Sequence, residues 1–162
     1  MLQEIPYDRN RAVAYARAWA LGRNPRYLDF ENLGGDCTSY ASQCLFASCG
    51  VMNYTPTFGW YYNSAGDRTP SWSGVEYLYN FLTGNKKTGP YAREANISEL
   101  QPGDLIQLGD ASGKFYHTPV VTELAPGDVL VCAHSFDALD RPLSSYLYAD
   151  IRFLHIEGAR RW

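Results

Sequence analysis

Residues 34–45 read Gly-Gly-Asp-Cys-Thr-Ser-Tyr-Ala-Ser-Gln-Cys-Leu, and the rest of the chain is organised around them. Two glycines and an acid precede Cys37. The pattern predicts that Cys37 begins a helix, which runs to about Cys49 and is stopped by Gly50. A helix N-terminus carries a partial positive charge and unpaired N–H groups, which lower the pKa of a thiol placed there. The alternative is a small apolar residue that fills a core, because free cysteine is usually buried.

The composition is that of an ordinary globular protein. The chain has 162 residues, 46% of them hydrophobic, and a net charge of −3. We therefore expect a single domain over residues 1–162 and no nucleic-acid partner. The N-terminus has no basic region followed by an apolar run, and no stretch has the 18 apolar residues of a membrane span. The chain as written is expected in the cytoplasm, or in the secreted or cell-wall fraction if a leader has been removed.

The first half of the chain has helical periodicity. Apolar residues at helical spacing follow Asp8, which is expected to cap a helix that Gly22 ends. Ser73, with Glu76 three residues later, predicts a capping box for a helix that ends at Gly84. Residues 51–70 are rich in aromatic residues and broken by Gly and Pro, which indicates a packed functional loop.

From Gly103 onward the hydrophobic period falls towards two, which is typical of strands. The predicted strands cover residues 105–108, 115–124, 129–134 and 150–156. Helices followed by antiparallel strands indicate an α+β fold.

A cysteine nucleophile needs a histidine as its base, and the chain has three histidines. A turn centred between Pro126 and Gly127 would place residue 117 opposite residue 136, which makes His117 and His134 neighbours on one face. A register slip of one residue would favour Ser135 or Asp137 instead. His155 has no matching context and is expected to be structural.

A histidine that contacts a cysteine, and is itself oriented by a third polar group, turns a thiol into a nucleophile. Cys37, His117 and His134 can fill these three places, with Asp137 as the rival third member. The four cysteines lack a CxxC spacing and are expected to be free thiols. Neither a metal ion nor another cofactor is expected, because the cysteines and histidines have no close paired spacing.

Several motifs resemble a known family. The motifs are GDCTSYASQ at 35–43, LQPGDLI at 100–106, His117 at the head of a strand and VCAHS at 131–135. Together they resemble the papain-like cysteine peptidases of the NlpC type. Residues 27–43 and 71–73 are more closely similar to the bacterial putative amidase domain of that superfamily, although Thr38-Ser39-Tyr40 stands where the family often has Ser-Gly-Phe.

The resemblance implies a papain-like fold in which an N-terminal helical half packs on a C-terminal antiparallel sheet. It implies Cys37 as nucleophile, His117 as base and His134 as third member of a cysteine amidase or peptidase. The substrate would be a peptide or another amide, with the peptidoglycan stem peptide as the leading example. An acyltransferase that uses the same Cys–His machinery, and a non-catalytic binding module of the same fold, are the alternatives.

Two further groups of residues are candidates for the site. The oxyanion of the tetrahedral intermediate would be held by the Cys37 amide and by a second donor, either Tyr27, as the resemblance implies, or Asn32. Asp36 is expected to form a turn rather than to take part. Aromatic side chains offer flat contacts and hydrogen bonds to a peptide. The candidates for the cleft wall are Trp60, Tyr61, Tyr62 and Trp72.

Overall fold

Four helices and ten strands, with two short 3₁₀ turns, make up the computed structural model, which describes all 162 residues. The helices are α1 (Arg9–Trp19), α2 (Cys37–Cys49), α3 (Pro70–Ser73) and α4 (Val75–Gly84). The strands are β1 (Gln3–Ile5), β2 (Tyr62–Ser64), β3 (Asp67–Arg68), β4 (Gly89–Ala95), β5 (Leu105–Gly109), β6 (Phe115–His117), β7 (Val120–Ala125), β8 (Asp128–Ala133), β9 (Ala138–Pro142) and β10 (Asp150–Arg161).

The ends of the helices follow from local chemistry. The Asp8 carboxylate accepts a hydrogen bond from the Arg11 amide at 3.1 Å and caps α1, as predicted. Helix α2 ends at Gly50, whose φ of 67° lies in the left-handed region that favours glycine, and this prediction is also confirmed. The capping box predicted at Ser73 is wrong, because Ser73 ends α3 and α4 begins after Gly74 without a side-chain cap.

Eight antiparallel strands form one curled sheet. Its main path runs β1-β10-β5-β7-β8-β9, with β4 paired to β10 and β6 paired to β5. The predicted α+β class is confirmed. The predicted strand over 115–124 is split by Thr118 and Pro119 into β6 and β7, and the sequence did not predict β1, β4 or β9.

The hairpin of β7 and β8 has the predicted turn but not the predicted register. Ala125 pairs with Asp128 beside the turn. A bulge between Val121 and Glu123 then shifts the register by one residue, so Val120 pairs with Cys132. His117 pairs with Leu108 of β5 and not with β8. The geometry that was to join His117 to His134 is therefore not formed.

The main hydrophobic core lies between the helices and one face of the sheet. Helix α2 is buried nearly all round, as predicted, with ten of its thirteen residues buried. Most of its buried polar side chains have partners, for example Ser42, whose hydroxyl accepts a hydrogen bond from Trp60 Nε1 at 3.0 Å. The buried Ser48 hydroxyl has none. A smaller cluster that includes Ile106 and Val131 forms a second core. The four cysteines are free thiols. All helices are too short or too polar to cross a lipid bilayer.

Candidate active site

Two glycines form the turn that delivers Cys37. Gly34 and Gly35 have φ values of 101° and 105°, which side chains of L-residues rarely adopt. A Cβ added at Gly35 would also lie 3.1 Å from Ser135 Oγ, closer than side chains normally approach. The Asp36 amide donates to the same hydroxyl at 3.1 Å. The turn is therefore fixed against the end of β8 by backbone conformation and close contact.

The first turn of α2 has unused hydrogen-bond donors. The first backbone bond of the helix runs from the Tyr40 amide to the Asp36 carbonyl at 3.0 Å. The amides of Cys37, Thr38 and Ser39 have no carbonyl partner outside the helix. These donors, together with the helix dipole, make the space beside the Cys37 amide favourable for negative charge.

Contacts on both sides of His117 bring it to Cys37. Cys37 Sγ lies 3.8 Å from the carbonyl oxygen of Tyr116, the residue before His117. The hydroxyls of Thr38 and Thr118 are 3.0 Å apart, which joins the residue after Cys37 to the residue after His117. These contacts place the N-terminus of α2 directly beside the end of β6, where His117 lies.

Both side chains line one cavity with a volume of about 530 Å³. No Asp or Glu contributes to its wall. The lining residues are Gly34, Gly35, Cys37, Leu108, Tyr116, His117, Ser135, Phe136, Arg141, Tyr146 and Leu147.

Burial keeps both reactive groups neutral. Burial raises the pKa of the Cys37 thiol above its usual value, against the lowering effect of hydrogen bonds from Thr38 and Thr118. Burial, with a smaller effect of the Arg141 charge, lowers the pKa of His117 to about 4. The expected lowering of the Cys37 pKa is therefore not found, because the loss of hydration on burial outweighs the hydrogen bonds to the thiol.

His134 is placed differently from the prediction. Its Nδ1 lies 2.5 Å from Asp36 Oδ2, and its Nε2 lies 2.7 Å from the carbonyl oxygen of Trp19. Its ring also stacks on Tyr40 with centroids 4.0 Å apart. A carbonyl only accepts, so Nε2 donates to it, and Nδ1 faces the Asp36 carboxyl group. With both nitrogens occupied, His134 makes no hydrogen bond to His117.

The rival third member is also engaged elsewhere. Asp137 binds Arg23 through both carboxylate oxygens, at 2.9 and 3.1 Å. Arg23 also pairs with Asp29 and Glu31, which places Asp137 in a surface network of charges. No side chain forms a hydrogen bond with the His117 ring. Cys37 and His117 therefore share one cavity, and neither His134 nor Asp137 forms a hydrogen bond with His117.

The two predicted oxyanion donors lie outside the cavity wall. Tyr27 packs in the aromatic core, 5.1 Å from the Tyr62 ring and 5.8 Å from the Trp72 ring between centroids. Asn32 is exposed in the turn before Gly34. The second oxyanion donor therefore stays a prediction.

The predicted aromatic cleft wall is wrong. Trp60 and Trp72 are completely buried, with ring centroids 4.9 Å apart. Tyr62 is buried in the same cluster, and Tyr61 packs against its edge. None of the four lines the cavity of Cys37. Their rings fill the core behind α2, because that location removes the most apolar surface from water.

The sequence analysis missed several residues that do line the cavity. Arg141 and Tyr146 approach it from β9 and the turn after it, and the side chains of Phe136 and Leu147 are about nine-tenths exposed at its rim. Ser135 and Phe136 have φ values of 57° and 60°, an uncommon conformation for residues other than glycine. No motif in the sequence marks these positions.

The remaining titratable residues do not form another centre. His155 lies away from the cavity and binds Asp104, with 2.9 Å between Nδ1 and Oδ2. No group of three or more His, Cys, Asp or Glu side chains is arranged to hold a metal ion.

Comparison with known proteins gives two matches. A family described as "Putative amidase domain" matches residues 6–156. The uncharacterized protein YhbB of Bacillus subtilis (strain 168) is 32% identical over 136 residues, which cover 82% of this chain and 42% of that protein. The chain thus corresponds to less than half the length of this relative. No solved structure matches the chain.

Proposed function

Because the chain belongs to the putative amidase domain family, we propose that it is an amide hydrolase with Cys37 as nucleophile and His117 as general base. One observation carries this assignment: Cys37 at the start of α2 and His117 at the end of β6 line the same cavity, with no other base in its wall. The family indicates amide chemistry at a general level, and the two side chains supply a way to perform it.

The resting state follows from the surroundings of the two groups. The pKa of Cys37 is raised and that of His117 is lowered, so a neutral thiol faces a neutral imidazole at pH 7. Proton transfer then accompanies attack: Sγ bonds to the amide carbonyl carbon while its proton moves to His117. The dyad does not need a preformed thiolate–imidazolium pair.

The later steps use the same two groups. The tetrahedral oxyanion lies beside the unpaired amide of Cys37 at the positive end of α2. The C–N bond breaks as the imidazolium of His117 protonates the amine, which leaves a thioester. Water attacks this thioester, His117 accepts the proton of the water, and the acid and the free thiol are released.

His134 and Asp36 act as positioning residues in this proposal. The Asp36 carboxylate accepts the Phe30 amide at 2.8 Å and binds the His134 ring, so it holds the loop before Cys37 from two directions. Both side chains are almost completely buried. Their contribution is to fix where Cys37 begins the helix, since neither touches the cavity.

We extend the proposal to a papain-like arrangement of the NlpC type acting on short peptides. Its support is the order of the parts: a cysteine at the start of a buried helix, then a histidine on an antiparallel sheet packed against that helix. The motif resemblance indicates cell-wall stem peptides as the substrates to try first.

Mass spectrometry of purified muropeptides, before and after incubation with the protein, tests the function. We expect release of one peptide fragment by the native chain and none by Cys37→Ala. Cys49→Ala, which changes a cysteine at the other end of α2, serves as the matched control and should keep the activity. An added amine nucleophile distinguishes hydrolysis from acyl transfer. Turnover by Cys37→Ala would refute the assignment.

A further inference from the structure

Arg141 is a cation without a counter-charge in the wall of the proposed catalytic cavity. Its Nε donates to Ser145 Oγ at 2.8 Å and its Nη2 to the Ser145 carbonyl at 3.1 Å. It forms no ion pair, whereas Arg23, Arg93 and Arg152 each bind at least one carboxylate. Its Nη1 has no partner and remains available to an acceptor in the cavity.

The guanidinium is held in place before any ligand arrives. It lies over the Tyr146 ring, 3.8 Å from the centroid, and the two bonds to Ser145 fix its plane. A fixed planar guanidinium matches the geometry of a carboxylate and loses little entropy on binding one. The Tyr146 hydroxyl is buried without a partner in the same wall and offers a second donor.

The charge of Arg141 extends to the catalytic base. It contributes to lowering the pKa of His117, and no acid lines the cavity to offset it. The chain as a whole has a net charge of −3, so this cavity is a locally positive place on an acidic protein. A site of this kind attracts an anionic group on a substrate.

Apolar groups complete the rim. Phe136 and Leu147 are 90% and 93% exposed, although both belong to residue types that are normally buried. The backbone of Phe136 has a φ of 60°, and such a left-handed conformation of a residue other than glycine is typical of functional sites. The cavity therefore presents a fixed cation beside two exposed apolar side chains.

We propose that Arg141 is the specificity-determining residue of the cavity and binds a free carboxylate of the substrate, with Phe136 and Leu147 contacting an apolar group next to it. The substrate class is a peptidic amide that carries a carboxylate close to the scissile bond. The proposal rests on the function proposed above, because it assigns the substrate of that same cavity.

Binding to the Cys37→Ala variant tests the proposal independently of turnover. The probes are N-acetylphenylalanine and its carboxamide, which differ in the charge of one group. Both enantiomers are titrated by calorimetry and by ¹⁵N NMR. We expect the carboxylate to bind roughly 10- to 100-fold more tightly than the carboxamide, as a charge-assisted pair provides. Arg141→Gln in the same background should remove this preference and leave carboxamide binding unchanged.

The controls separate binding from structure. Arg26→Gln removes an exposed arginine away from the cavity and should keep the preference. Arg141→Lys retains the positive charge without the planar guanidinium and should keep only part of the preference for the carboxylate. Equal binding of the two probes, or a preference that survives Arg141→Gln, overturns the proposal. If the native chain hydrolyses no amide but still binds the carboxylate more tightly than the carboxamide, only the amidase assignment is refuted.

Discussion

His117 and His134 lie beside consecutive residues of one turn, Cys37 and Asp36, yet their rings have opposite surroundings. The His134 ring has both nitrogens bonded, to Asp36 and to the Trp19 carbonyl, and is almost completely buried. The His117 ring has no hydrogen bond and faces a cavity that a ligand can enter. A base must have a free lone pair and access to a substrate, so the comparison supports the proposal of His117 as the base and of His134 as a positioning residue.

The largest expected effect is at the nucleophile that these histidines flank. Cys37→Ala should lower kcat/KM by at least about a thousandfold, since no other thiol lines the cavity. Cleavage of a fluorogenic peptide amide measures this, with circular dichroism to show that the fold is retained. Alkylation by iodoacetamide should be lost at this position only.

His117→Gln should lower kcat by about 10²- to 10⁴-fold, the usual contribution of a general base. The ring makes no hydrogen bond, so the free energy of unfolding at pH 7 should change little. Kinetics and urea unfolding on the same preparations give both values. If His117→Gln keeps full activity but lowers the free energy of unfolding, His117 is a structural residue and not the base.

The opposite pattern is expected for the buried pair. His134→Ala removes one partner of the buried Asp36 carboxylate, which keeps the Phe30 amide and Arg23, and should destabilise the fold by about 2–3 kcal/mol. The change in activity should be smaller than for His117→Gln, because the ring does not reach the cavity. Urea unfolding measures the stability, and the Asp36→Asn/His134→Gln pair provides a double-mutant cycle. Additive effects in that cycle would contradict the contact.

The titration of His117 provides the next effect. Its pKa of about 4 lies below the ordinary value of 6.5, so between these pH values only the unfolded chain is protonated at this position. The free energy of unfolding should therefore fall by up to about 3 kcal/mol as the pH falls from 6.5 to 4. His117→Gln should flatten this slope. The acid limb of kcat/KM should lie near pH 4, and Arg141→Gln should move it upward; an acid limb near 6.5 would contradict the buried, neutral base.

The smallest expected effect is at the hydrogen bond that joins the two halves of the dyad. Thr118→Val removes the partner of Thr38 Oγ1 and should cost about 1 kcal/mol of stability. Activity should fall by several-fold, because a small shift between α2 and β6 separates nucleophile and base. Urea unfolding and kinetics measure the two effects. Thr83→Val, which removes a hydroxyl bond within α4 and leaves the Thr38–Thr118 bond intact, should not lower the activity.

The helix ends and the hairpin turn were predictable from the sequence because their signals are local. The cap at Asp8, the stop at Gly50 and the turn at Pro126–Gly127 each depend on a few neighbouring residues. The glycines before Cys37 likewise predicted a turn into a helix. The candidate dyad followed from these elements, since the chain has few histidines.

The strand register and the surroundings of the site could not be predicted, because they depend on contacts between distant segments. A bulge between Val121 and Glu123 and the break at Thr118–Pro119 change which residues face one another. Pro119 is a local strand-breaking signal, but no local pattern marks the bulge. The pKa of Cys37 depends on how completely the fold buries it. The aromatic residues of 60–72 are equally suited to a groove and to a core, and only the packing around Trp72 decides between them.

The central position of strand β10 in the sheet affects the order in which the protein folds during synthesis. Strand β10 carries β4 along one edge and β5 followed by β1 along the other, so it is the strand that joins the early segments to the rest of the sheet. During synthesis, α1, α2 and the hairpin of β7 and β8 leave the ribosome before it. The sheet is completed only when residues 150–161 emerge, and pairing over such long sequence separations is slow. The cavity of Cys37 is therefore expected to be assembled late, after all the residues that line it have been synthesised.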